Sequence, residues 1–122
     1  NSKIKEYLSI PFSNYINLLR NSSALVGNSS SGIMEAPFLR IPSVNIGTRQ
    51  LGRLRSKSVI DCNYEKSNIK NAITKAINDK KFLKSIPSNQ NLYGTGNSSK
   101  QIVKIMEKLD LDTIPTQKIF YE

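Results

Sequence analysis

The sequence predicts an α/β domain: a parallel sheet flanked by helices. Three observations predict it. Short apolar runs at residues 24–27, 43–47 and 58–62 alternate with helix-patterned segments, the order that builds parallel layers. The first run, Ala24-Leu25-Val26-Gly27, is apolar without alternation, as a strand buried on both faces is. It leads directly into a small polar turn, Asn28-Ser29-Ser30-Ser31-Gly32, before the next helical stretch.

Each element has its own signal. Residues 4–10 alternate well enough for a short strand. Pro11 opens a helix at a favoured first-turn position; the helix runs to about Arg20 with Phe12, Tyr15, Ile16 and Leu19 on one face. Asn21-Ser22-Ser23 ends it. After the serine turn, residues 33–39 read as a helix, in which Pro37 predicts a kink or an early end. Pro42 restarts the chain into the 43–47 strand. Residues 48–58 form a loop crowded with Arg49, Arg53, Arg55 and Lys57, and a strand follows at 58–62. The clearest helix is 66–78, where Ile69, Ala72, Ile73, Ala76 and Ile77 recur at helical spacing. A Lys- and Ser-rich joint precedes Tyr93-Gly94-Thr95-Gly96-Asn97. The last helix spans about 98–109, with Ile102, Ile105, Met106 and Leu109 on its inner face and Asn97 or Ser98 as its N-cap. Residues 113–122 read as an extension over the surface.

Composition bounds the function. A chain of 122 residues makes one domain or a piece of a larger one. No apolar run approaches the roughly 20 residues of a bilayer crossing. The single cysteine, Cys62, excludes an internal disulfide and reads as a small buried hydrophobe. The absence of His removes the commonest general base and metal ligand. Neither a metal nor a cofactor is expected. The start Asn1-Ser2-Lys3, with no initiator Met and no signal-peptide pattern, suggests the C-terminal part of a longer, cytoplasmic protein.

The net charge of +9 suggests an anionic partner. Nucleic acid fits poorly. Lys66, Lys70, Lys75, Lys80, Lys81 and Lys84 lie mostly on polar helix faces, and 7% aromatic residues leave little to interleave with them. A solvated helix face accounts for them better. No membrane partner is expected.

The serine turn is the most informative segment. It lies where a strand ends and a helix begins, the place where unpaired backbone N–H groups and the helix dipole meet anions. Ser29 and Ser30 add hydroxyl donors. Glu35, one turn on, would repel a phosphate but can accept from the vicinal hydroxyls of a ribose. Two readings stand: a phosphate-binding turn, or serines that merely cap a helix. Arg49 follows the next strand and belongs at the same sheet edge, where it can pair with a diphosphate. Alone it would read as part of a solvated basic loop. Two phosphate-friendly elements on successive strand ends favour a nucleotide site.

The same residues carry a family resemblance. Gly27-Asn28-Ser29-Ser30-Ser31-Gly32-Ile33-Met34-Glu35-Ala36-Pro37, then Pro42-Ser43-Val44-Asn45-Ile46-Gly47-Thr48-Arg49-Gln50-Leu51-Gly52-Arg53, resemble the C-terminal domain of hydrolysing UDP-N-acetylglucosamine 2-epimerases. Tyr93-Gly94-Thr95-Gly96-Asn97 resembles their usual ending. Non-hydrolysing epimerases usually carry Thr-Glu-Arg-Pro-Glu where this chain has Thr48-Arg49-Gln50-Leu51-Gly52-Arg53.

The resemblance implies a Rossmann-like parallel sheet, the C-terminal half of a two-domain glycosyltransferase-B-type fold. Residues 1–122 would be most of its UDP-binding domain. Ser29 and Ser30 would hold the diphosphate, Glu35 the ribose, and Arg49 would sit near the phosphates. The Ser9-Ile10-Pro11-Phe12 junction would contact uracil, partly through Ile10 backbone groups. The expected partners are a UDP-sugar, the N-terminal domain and, in the full-length protein, further copies of itself. No catalytic residue is expected in this chain. A UDP-sugar glycosyltransferase of the same architecture is the competing reading, and the Arg49-Gln50-Leu51-Gly52-Arg53 run argues against it.

Overall fold

The computed structural model describes residues 3–87 and 92–114. Three strands form one parallel sheet in the order β1 (Leu25–Gly27), β2 (Ser43–Ile46) and β3 (Val59–Cys62). Among the described residues, five α-helices accompany them: α1 (Phe12–Arg20), α2 (Glu35–Phe38), α3 (Lys66–Asn78), α4 (Lys80–Ser85) and α5 (Ser98–Met106). A 3-10 turn, Ser30–Gly32, stands between β1 and α2.

The registers pair Gly27 with Asn45 and Asn45 with Asp61. All three strands therefore end at one edge of the sheet. The central strand β2 is covered on both faces. On one, Val44 packs with Ala72 and Ala76 of α3, and Ile46, Ile60 and Cys62 border the cluster. On the other, the 3-10 turn and α2 bury Ile33 and Ala36. Ser43 is polar and buried, and its Oγ donates to the Gly32 carbonyl at 2.5 Å. That bond removes the penalty of burying a hydroxyl and ties the turn to the sheet.

The structure departs from expectation in five places. Residues 4–10 are not a strand, and Ile4 and Tyr7 are exposed. Alternation alone supplies no partner strand, and among the described residues none pairs with this segment. β1 is not buried on both faces: it is the sheet edge, and Val26 is 43% exposed. The helix expected over 33–39 is a 3-10 turn followed by the single turn α2. Pro37 lies in the first turn of α2, where no N–H is needed. The helix stops instead at Arg40, whose φ of 62° lets Arg40 N–H reach the Pro37 carbonyl and Ile41 N–H reach that of Ala36, a Schellman ending.

The polar joint after α3 contains a helix, α4. Asp79 caps it by accepting from Lys81 and Phe82 N–H at 2.9 and 3.0 Å, and Lys75 Nζ lies 5.5 Å from the Phe82 ring centre. The last helix ends at Met106, Asn97 stands before it without a side-chain cap bond, and Ile102, Ile105, Met106 and Leu109 are exposed rather than inward. The expected tail falls largely outside the described residues. No helix among those described is long and apolar enough to cross a membrane.

Candidate functional site

The site begins where β1 stops. Gly27 has φ of 151°, a conformation that favours glycine, and the chain turns there into Asn28 and the serines. Ser29 stands at the start of the 3-10 turn and its Oγ accepts from Ser31 N–H at 3.3 Å. Ser29 thus does cap, as the simpler reading has it. Ser30 opens the turn, and its carbonyl accepts from Ile33 and Met34 N–H. Ser31 is buried, with its Oγ 2.5 Å from the Tyr15 hydroxyl of α1. The helical element here is a few residues long, so an anion would be met by local N–H groups and hydroxyls rather than by a long helix dipole.

Arg49 reaches this turn. β2 ends at Ile46, and Gly47, with φ of 79°, bends the chain beneath the Tyr64 ring, where no Cβ fits. Beyond it Arg49 Nη1 donates to the Asn28 carbonyl at 2.9 Å. The predicted meeting of the two strand ends therefore occurs, and Arg49 is otherwise exposed. Gln50 is a partner that sequence reasoning missed. It is 2% exposed, its Nε2 donates to the same carbonyl at 2.8 Å, and its Oε1 has no partner among the described residues.

Glu35 opens α2. Its Oε2 is buried without a partner among the described residues, a costly state for a carboxylate oxygen. The side chain borders an open cavity of about 370 Å³ lined also by Phe12, Ile16, Arg20, Phe38 and Tyr93. The cavity thus joins apolar and aromatic walls to one carboxylate and one guanidinium. Ile10 is not brought to it: its side chain lines a separate groove with Tyr15, Leu18 and Leu25. Phe12, from the same junction, does line it.

Two further groups lie near the edge. Asp61 pairs with Arg55 at 2.7 Å. Cys62 borders the core cluster, and burial, then the neighbouring Asp61 charge, pushes its thiol above the ordinary 9.0. No group of three His, Cys, Asp or Glu among the described residues could hold a metal ion.

A sequence profile of the UDP-N-acetylglucosamine 2-epimerase family matches residues 1–107. The chain belongs to the UDP-N-acetylglucosamine 2-epimerase family. Among curated relatives, the polysialic acid biosynthesis protein P7 of Escherichia coli is 37% identical over 98% of this chain and 30% of its own length. The UDP-N-acetylglucosamine 2-epimerase of Neisseria meningitidis serogroup B is 34% identical over 98% of this chain and 31% of its own. The hydrolysing UDP-N,N'-diacetylbacillosamine 2-epimerase of Legionella pneumophila is 36% identical over 80% of this chain and 24% of its own. The chain thus spans less than a third of the curated relatives it matches. The matched region of this epimerase-family chain contains the serine turn, Arg49, Glu35 and the cavity that Glu35 borders.

Proposed function

We propose that residues 1–122 are part of the C-terminal, UDP-binding domain of a two-domain hydrolysing UDP-N-acetylglucosamine 2-epimerase. The substrate is UDP-N-acetylglucosamine or a UDP-diacetamido-trideoxyhexose. The products are UDP and the free manno-configured sugar, for sialic- or legionaminic-type acid synthesis. One observation carries the reading: Arg49 reaches the serine turn at the end of β1, and on the helix that follows, Glu35, with one carboxylate oxygen buried and unpartnered among the described residues, borders an aromatic-lined cavity. Relatives from Legionella and Campylobacter are named as hydrolysing 2-epimerases, and the Thr48-Arg49-Gln50-Leu51-Gly52-Arg53 run favours that branch.

In this reading Ser29, Ser30 and Arg49 hold the diphosphate. Glu35 accepts from the ribose hydroxyls, which supply the partners its buried oxygen lacks. Ile10 backbone groups and the Phe12 ring meet the uracil. The reaction removes the C2 proton and breaks the C1–O bond to UDP, so the C2–H electron pair becomes the C1–C2 double bond of a 2-acetamidoglycal. Water then adds with inversion at C2 and releases the free sugar. Negative charge grows on the departing diphosphate, and fixed donors aimed there lower that barrier. The acid and base come from outside this chain, which has no His.

The test is calorimetry with UDP on the full-length protein and on its Glu35→Ala and Arg49→Ala variants, beside an assay for free sugar. Loss of UDP affinity in both, with free sugar and UDP formed in the absence of an acceptor, supports the reading. Turnover only with an acceptor would point to a glycosyltransferase, and a UDP-linked product to a non-hydrolysing epimerase.

A further inference from the structure

Arg55 makes no hydrogen bond to the serine turn, yet its guanidinium is engaged by three acceptors. Nε donates to Asp61 Oδ2 at 2.7 Å, Nη1 to the Arg53 carbonyl at 2.6 Å and Nη2 to the Gln50 carbonyl at 2.8 Å. The other Asp61 oxygen, Oδ1, accepts from Asn45 Nδ2 at 2.6 Å, and Asn45 is buried on β2. Asn45 and Asp61 are register partners across β2 and β3.

A single line of hydrogen bonds therefore starts in the sheet and passes through Asp61 and Arg55 to the backbone at Gln50. From there the Gln50 side chain and its neighbour Arg49 donate to Asn28. The rest of this loop is held by little. Residues 51–54 are exposed, and their own bonds are the local turns Leu51 N–H to Thr48 and Arg53 N–H to Gln50, a long contact of Arg53 Nη1 to Met34 Sδ at 3.8 Å, and Tyr93 OH on the Leu54 carbonyl. Nothing else among the described residues ties the Gln50 backbone to the sheet.

We propose that Arg55, oriented by Asp61 and Asn45, is a positioning residue for the diphosphate end of the site. It fixes the loop so that Arg49 and Gln50 grip the Asn28 carbonyl and hold the start of the serine turn in place. This inference rests on the UDP reading given above. The planar guanidinium is essential to it, because three acceptors in three directions suit a rigid fork and not the point charge of a lysine. Charge alone does not suffice. Arg55 aims three of its five donors at Asp61 and two carbonyls and makes no hydrogen bond to the serine turn, so it acts on a diphosphate through Arg49 and Gln50.

The test compares affinities for UDP and for uridine in the full-length protein and its Arg55→Ala, Arg55→Lys and Asp61→Asn variants. Arg55→Ala is expected to weaken UDP by about tenfold, the size of a lost charged hydrogen bond, and uridine by less than about twofold. Arg55→Lys is expected to behave like the alanine variant, and Asp61→Asn to fall between it and the wild type. Added to Arg49→Ala, Arg55→Ala should weaken UDP little further, since both act on one grip. If Arg55→Ala does not fold, Asp61→Asn with the lysine variant carries the same comparison. Equal weakening of UDP and uridine would mark a merely structural role and overturn the proposal. So would unchanged UDP affinity, or full rescue by lysine. A wild-type protein that does not bind UDP removes the UDP reading itself, and this inference with it.

Discussion

The Tyr15 hydroxyl and the Ser31 Oγ lie 2.5 Å apart, joining α1 to the serine turn across sixteen positions of sequence. Ser31 is buried, so this bond supplies the partner its hydroxyl needs. It also sets how closely α1, and with it Phe12, approaches the turn. Tyr15→Phe removes the partner and little volume. The expected cost is about 1 kcal/mol in chemical unfolding, with a several-fold loss of UDP affinity in the full-length protein. Unchanged unfolding and binding in Tyr15→Phe would show that the bond organises neither.

Arg40 holds the left-handed conformation, with φ of 62°, that closes α2. A side chain there costs about 1 kcal/mol relative to glycine. The side chain is exposed and makes no ion pair among the described residues. Arg40→Gly is therefore expected to raise stability slightly, by roughly 0.5–1 kcal/mol, without changing UDP binding. A lower unfolding midpoint would mean that the Arg40 side chain makes a contact in the full-length protein worth more than the relief of strain.

The fold was legible where a signal is local or periodic. The 66–78 helix was readable from Ile69, Ala72, Ile73 and Ala76, and the structure matches it residue for residue. The meeting of Arg49 with the serine turn was readable too, because parallel strands in register end at one edge. What escaped depends on tertiary partners. Alternation at 4–10 says nothing of whether a strand lies beside it. The exposure of Val26 follows from β1 being an edge, a property of the sheet and not of the strand. Helix α4 was hidden in a polar stretch whose one signal was Asp79 placed to cap. Gln50 and Tyr15 carry no periodic mark: an amide and a phenol declare their partners only once Asn28 and Ser31 are folded beside them.

Cys62 offers a readout of the sheet edge. Burial first, and then the Asp61 charge, raise its thiol above the ordinary 9.0, so the folded state holds the proton more tightly than the unfolded one. The thiol thus contributes stability in full below pH 9, and that contribution is lost as pH rises through the folded value. Alkylation at pH 8 is expected to be slower in the folded protein than in urea, because the thiolate is the nucleophile. Asp61→Asn removes the second cause and should speed alkylation of the folded form. Equal rates in the folded and unfolded protein would show that Cys62 is not held in this environment.

Glu35 is where stability and binding should oppose each other. Its Oε2 is buried with no described partner, and such an oxygen costs about 1–3 kcal/mol. Nothing among the described residues offsets that cost, whereas two ribose hydroxyls in the adjoining cavity would. Glu35→Gln keeps the shape and removes the charge. Without ligand, this variant is expected to unfold at the wild-type midpoint or above it, as groups kept for function rather than stability do. Its UDP affinity should fall by roughly tenfold or more, the size of a lost hydrogen bond to a charged acceptor. 2'-Deoxy-UDP separates the ribose contact from a general loosening. The wild type should bind it more weakly than UDP, whereas Glu35→Gln should distinguish the two poorly. If the variant keeps the wild-type preference for UDP over the deoxy compound, Glu35 does not hold the ribose. Its buried oxygen would then need another partner, and the Arg20 guanidinium on the same cavity wall is the first group to test.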